Sequence, residues 1–124
     1  MNQPTPPPGD VEVELHFLPT ESGGRKGPAF SGYRPQFYYR NHDWDAQHTY
    51  IDRAEVRPGE TVRAYLDFLS PELHDGHISE GMPFLIREGH RTVAYGRVLR
   101  VLELHNSAVR KRAGGADDGT GPTN

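Results

Sequence analysis

The segment Val11-Glu12-Val13-Glu14-Leu15-His16-Phe17-Leu18 alternates apolar and polar residues with period two, and Thr61 to Leu69 repeats the pattern through Val62, Ala64, Leu66 and Phe68. Such alternation sends one row of side chains to each face of an extended chain, so both segments read as half-buried strands. Val13, Leu15, Phe17, Val62, Leu66 and Phe68 are then expected in one core. Pro19 ends the first strand and Ser70-Pro71 the second, because proline has no N–H to give to a ladder. No segment carries a 3.6-residue period of helix length, which leaves strands as the material of the fold.

Phe37-Tyr38-Tyr39 has strong β propensity and reads as another strand. Phe84-Leu85-Ile86-Arg87 and Thr92 to Leu102 flank Glu88-Gly89-His90-Arg91, a tight hairpin in which Gly89 takes a positive φ. Arg57-Pro58-Gly59-Glu60 carries the Pro-Gly signal of a type II turn. Residues 41–50 are polar and read as a loop anchored by Trp44. Five or six strands separated by turn signals predict an all-β chain, a small antiparallel barrel or sandwich.

With 124 residues the chain is one domain with room for a real core. Its ends look poorly suited to packing. Residues 1–10 hold Pro4 and Pro6-Pro7-Pro8, which favour an extended, disordered N-terminus. Residues 106–124 hold Gly114-Gly115, Asp117-Asp118 and Gly121-Pro122 with little that is apolar, and read as a disordered tail. The folded unit is expected over 11–105. Arg110-Lys111-Arg112 then reads as a solvated charge run in that tail.

The absence of cysteine excludes disulfides, a thiolate nucleophile and cysteine-ligated zinc. There is no apolar run of the roughly 20 residues a membrane helix needs, nor the basic and apolar regions of a signal peptide, so the expected location is the cytoplasm. Net charge is −3, which is not the footprint of a general nucleic-acid binder. RNA binding would have to come from a local cluster.

The chain has 7 histidines, and His42-Asp43-Trp44-Asp45 and His74-Asp75-Gly76-His77 contain metal-compatible side chains. Neither has the spacing of a metal site, so no metal or cofactor is expected. No Ser-His-Asp, paired-carboxylate or phosphate-loop arrangement can be assembled, and the chain reads as a non-enzyme. Arg34 and Arg40 read as salt-bridge partners on a barrel rim, and Tyr33, Phe37, Tyr38 and Tyr39 as packing residues rather than base-stacking ones.

The run from Ser22-Gly23-Gly24-Arg25-Lys26-Gly27-Pro28 through Gly32-Tyr33-Arg34-Pro35-Gln36-Phe37-Tyr38-Tyr39-Arg40 joins a Gly-rich loop to an aromatic strand, and Phe84 to Val93 supplies a second signature. Val56-Arg57-Pro58-Gly59-Glu60 and Ser79-Glu80-Gly81 add two shorter ones. Together, over about Val11 to Leu102, they resemble the C-terminal, third β-barrel domain of bacterial elongation factor Tu. The resemblance implies a six-stranded antiparallel barrel that stands free of the family's GTPase domain. The GTPase motifs G-x-x-x-x-G-K-S/T and Asn-Lys-x-Asp are absent, so GTP binding by this chain alone is not implied.

In that family the third barrel touches the T-stem backbone of tRNA, the GTPase domain and the exchange factor Ts. The resemblance therefore implies a non-catalytic translation-associated module contacting tRNA or a translation-factor protein. Its tRNA-contacting positions fall on Arg25, Lys26, Gln36, Glu88 and Gly89. Arg25 and Lys26 would meet phosphate oxygens, and Gly89 would offer open backbone. Ser70 and Asp45 depart from the family pattern, losing a cation and adding an anion, and His90 stands where the family has a second glycine. The alternative is a protein-interaction module, a decoy or regulator, with no RNA binding.

Overall fold

The computed structural model describes residues 5–118. In chain order the strands are β1 (Val11–Phe17), β2 (Ala29–Phe30), β3 (Gln36–Tyr39), β4 (His42–Tyr50), β5 (Glu55–Val56), β6 (Thr61–Phe68), β7 (Pro83–Glu88) and β8 (Arg91–Val101), followed by helix α1 (Leu104–Asp118). Six of them close into a barrel in the order β1-β6-β4-β3-β7-β8, with every neighbouring pair antiparallel. The strands β2 and β5 form a separate two-stranded ladder. Closure leaves the barrel without a free edge, and the expected six-stranded antiparallel barrel is the observed one.

The period-two rows build the core as their alternation requires. Val13, Leu15, Phe17, Val62, Leu66 and Phe68 are all buried in one cluster with Phe37, Ile86 and Val93. The Phe37 ring stacks on Phe84 with centroids 4.4 Å apart and meets Phe68 and Tyr39 edge-on at 5.1 and 5.3 Å. On the outer face Glu12 is also buried, because Arg63 donates to it at 2.8 Å and Arg100 lies along it from the other side. Two guanidiniums offset the desolvation of that one carboxylate.

Three sequence expectations are corrected. The first concerns residues 41–50, of which His42–Tyr50 form strand β4 rather than a loop. Ala46, His48 and Tyr50 point inward and are buried, while Asp45 and Gln47 point out. The chain enters β4 through a two-residue turn in which Arg40 and Asn41 both have positive φ, 52° and 61°. That is the backbone of a type I′ hairpin, here built without the glycine that usually announces it.

The second concerns the C-terminal end. Residues 106–118 of the expected tail are helical within α1; residues 119–124 lie outside the described residues. Leu104 and Ala108, one helical turn apart, are buried against the barrel, and α1 packs on the turn Pro71–Leu73. The His105 imidazole is 2.8 Å from Asp75, and Arg112, expected to be a solvated charge, approaches the same carboxylate at 3.7 Å. Tertiary contact supplies what local propensity lacks.

The third concerns the N-terminal side. Residues 1–4 lie outside the described residues, but Gly9 and Asp10 belong to the fold. Asp10 is buried, its N–H reaches the Leu66 carbonyl at 3.0 Å, and its carboxylate accepts the Phe68 N–H at 2.9 Å. The Gly9 carbonyl accepts the Glu103 N–H at 3.1 Å. Among the described residues no helix is long and apolar enough to cross a membrane.

Candidate functional site

The Gly-rich loop is folded hard against the end of β1. The turn Thr20–Ser22 closes onto Gly23, and a Cβ on Gly24 would lie 2.1 Å from the Leu18 carbonyl oxygen. Only glycine fits there. The Thr20 hydroxyl donates to the Arg25 carbonyl, which fixes the loop as it leaves the turn.

Arg25 is thereby aimed inward. It donates to Glu88, to the Pro28 carbonyl at 3.1 Å and to the Gly27 carbonyl at 3.3 Å, and its guanidinium stands 4.6 Å above the Tyr33 ring. The Tyr33 hydroxyl donates to the same Glu88 oxygen that Arg25 uses. Arg91 reaches the other Glu88 oxygen at 3.3 Å. One carboxylate thus ties the Gly-rich loop, the start of the aromatic segment and the β7–β8 hairpin together.

The electrostatics follow from that geometry. Partial burial opposes the ionised forms of both Arg25 and Glu88, but the contacts with Tyr33 and with each other outweigh it, so Arg25 is raised and Glu88 lowered from their ordinary values. Burial, reinforced by the bond to Glu88, pushes the Tyr33 phenol up. The cluster is a permanently charged pair with a neutral phenol, not an acid–base centre.

This changes the expected part of Arg25. Each of its three nitrogens already donates inside the protein, so in this arrangement Arg25 ties the loop to the hairpin and only its remaining N–H groups face outward. Lys26 is exposed, as is Arg34, and neither has a carboxylate within ion-pair range among the described residues. The expectation that Arg34 and Arg40 form rim salt bridges is also corrected. Arg40 donates to the His77 ring at 2.8 Å rather than to a carboxylate.

Gly89 has φ +63°, and nothing lies within 4 Å of the place its Cβ would take. Its backbone faces open space. Gln36 sits on the outer face of β3, paired with Asp45 on β4 and with Arg87 on β7. Its side-chain oxygen is buried without a hydrogen-bond partner among the described residues. Arg87 lies 4.3 Å above the Tyr38 ring and 3.5 Å from Asp43, beside a register shift between Ile86 and Arg87. Bulges of this kind re-aim side chains.

The five residues picked out by sequence therefore come together. Arg25 bonds Glu88, Lys26 and Gly89 are their chain neighbours, and Gln36 pairs with the residue preceding Glu88. Tyr33, Arg87 and Arg91 belong to the same surface and were not picked out. Tyr33 has the sequence setting of a packing residue, and its hydroxyl bond to Glu88 adds a second task. Phe37 and Tyr39 are buried packing residues as expected. Of the two departures, Asp45 lies within this surface as the partner of Gln36, while Ser70 begins the turn on which α1 packs.

A second surface runs across neighbouring strands. Tyr38 pairs with Leu85, Leu85 with Tyr95, and Tyr95 with His16, on which its ring stacks at 4.9 Å. Tyr38, Leu85, Pro83 and Tyr95 line a shallow cleft of about 320 Å³. The two histidine-bearing stretches also meet, with Trp44 edge-on to the buried His74 at 4.8 Å and the Tyr39 hydroxyl 2.8 Å from that ring. No group of three or more metal-ligating side chains is gathered among the described residues.

The family model for the elongation factor Tu C-terminal domain matches residues 6–102, from before β1 to the end of β8. Helix α1 lies beyond the matched segment. The match covers most of the chain and the six barrel strands that carry both signatures, and the chain belongs to the elongation factor Tu C-terminal domain family.

Proposed function

We propose that this barrel is a non-catalytic, translation-associated binding module that contacts tRNA through the surface around Glu88. The observation that carries the reading is the convergence of Lys26, Gln36 and Gly89 on the Arg25–Glu88 pair. Lys26 and Arg34 are exposed cations without a carboxylate partner among the described residues, Arg87 and Arg91 add positive charge on the strands and hairpin around Glu88, and the open backbone at Gly89 leaves room for a phosphate or a 2′-hydroxyl. Glu88 and Arg25 hold the loop and hairpin in register rather than touching RNA themselves. With a net charge of −3, affinity is modest and depends on this patch alone. The chain by itself binds neither GTP nor GDP, and its location is cytoplasmic.

The test is a salt series of tRNA binding. Wild type binds at low salt, and Lys26→Ala with Arg34→Ala lowers affinity and flattens log K against log salt by roughly one to two units. Absence of low-salt binding, or an unchanged slope in the double variant, rejects this reading.

A second reading is a protein-interaction module without RNA binding. The stripe Tyr38–Leu85–Tyr95 supports it, since Tyr95 is 50% exposed and aromatic residues on a strand surface are rich in contact energy. Pull-down from extract with and without ribonuclease separates the two readings in one step.

A further inference from the structure

At one mouth of the barrel the hairpin between β3 and β4 faces the segment 71–77, and the space between them is a pocket of about 230 Å³ lined by Tyr39, Arg40, His42, Trp44, Leu73 and His77. Barrel mouths are preferred places for small-molecule sites. The walls are rings. His42 stacks on Trp44 at 5.0 Å, Trp44 is braced edge-on by the buried His74, and Tyr39 is held by its bond to that same imidazole. The aromatic walls are thus set before any guest arrives.

The polar part of the lining has one sign. None of the six residues is a carboxylate; of the acids on the flanking elements, Asp75 is held by His105 and Arg112, Asp43 lies 3.5 Å from Arg87 without a hydrogen bond, and Glu72, beside Leu73, has a buried Oε1 with no hydrogen-bond partner among the described residues. Arg40 is exposed and has no carboxylate partner among the described residues. It donates one N–H to His77 Nδ1, which makes that nitrogen an acceptor and leaves the rest of the guanidinium fork free. Arg40 also occupies a left-handed backbone position, φ 52°, that Asn or Gly would adopt more easily. The turn holds the cation at the lip of the pocket.

The geometry points to a binding site for a small single-ring aromatic anion, its ring against Tyr39 and Trp44 and its carboxylate on Arg40. The volume is below the usual range for drug-sized ligands and is too small for a nucleoside triphosphate. The site is separate from the surface around Glu88, and the proposal stands whether or not that surface binds tRNA.

Trp44 is the only tryptophan in the chain, so its emission reports on this pocket alone. Benzoate is the probe, titrated at constant ionic strength against the full chain, with benzamide as the neutral ring and acetate as the anion without a ring. Benzoate changes Trp44 emission saturably with a Kd on the order of 1–10 mM, as expected for so small a ligand, and the two controls bind at least about tenfold more weakly. Arg40→Gln weakens benzoate at least about fivefold, Arg40→Lys retains most of the affinity, and Arg57→Gln, on an exposed turn outside the pocket, leaves it unchanged. Leu73→Asp, at an exposed lining position, abolishes the response without unfolding the barrel. The proposal is overturned by no saturable response up to about 50 mM, by equal binding of benzamide or acetate, or by Arg40→Gln binding like wild type.

Discussion

Ser107 of helix α1 donates its hydroxyl to the carboxylate of Asp10, 97 positions earlier in the chain. Asp10 also accepts the Phe68 N–H with its other oxygen, so one buried side chain joins the entry to β1, the end of β6 and the helix that follows the barrel. The helix lies beyond the family-matched segment, yet it is tied to the barrel by a partly buried polar bond and by Leu104 and Ala108.

Asp10→Ala orphans the Phe68 N–H and the Ser107 hydroxyl together. A buried donor left without its acceptor costs about 1–3 kcal/mol, and the loss is read from the urea midpoint at unchanged slope. Ser107→Ala removes one bond only and costs less. If Asp10→Ala is as stable as wild type, the junction is not a structural tie.

Leu66 is fully buried, so Leu66→Ala lowers unfolding free energy by about 2–5 kcal/mol, the range for a leucine whose cavity is only partly refilled. Equilibrium denaturation checks it. A loss of less than about 1 kcal/mol would mean that the core closes over the gap.

Two glycines of the signatures differ in what they resist. At Gly89 only the positive φ opposes a side chain, so Gly89→Ala costs about 1–2 kcal/mol and leaves the fold intact. At Gly24 the added Cβ meets the Leu18 carbonyl, so Gly24→Ala must displace the loop and release Arg25 from Glu88. Thermal denaturation ranks the pair, and the order reverses if the loop is soft.

Stability falls on mild acidification. Burial lowers the His48 imidazole to about 3 and His74 to about 4, against about 6.5 in the unfolded chain. Between those limits the unfolded state binds more protons, so stability is fully present above pH 6.5 and is lost as pH falls toward 4. Each histidine contributes a slope of about 1 kcal/mol per pH unit there. Urea titrations at pH 7.5, 6 and 5 measure it. His48→Gln removes its share of the slope, and a flat profile in wild type contradicts the burial argument.

The barrel was legible where alternation is apolar. β1 and β6 announce themselves through Val, Leu and Phe, and the hairpin at Gly89 through its glycine. β4 was hidden because its inward row is Trp44, Ala46, His48 and Tyr50, a period-two row that does not look apolar. His48 is tolerated in the core as a neutral ring bonded to Tyr50 at 3.2 Å, which no local pattern declares. α1 was hidden for the converse reason. Its buried face among the described residues is Leu104 and Ala108, too thin a stripe to stand out among charged residues and paired glycines.

By itself the sequence determined the class of the fold and the family, because period-two alternation and the Gly-Tyr-Arg-Pro-Gln-Phe-Tyr string are local properties of the chain. It also named the five positions that meet around Glu88. Only the tertiary structure decided what those positions do for one another. Arg25 and Glu88 are 63 residues apart, and whether a cation faces solvent or a half-buried carboxylate depends on which strands become neighbours when the barrel closes. Closure turns Arg25 inward, leaves Lys26 and Arg34 outside, and places the Arg40 turn against His77 to form the aromatic mouth. Those are pairings across the barrel, set by register and curvature rather than by any residue's own preference.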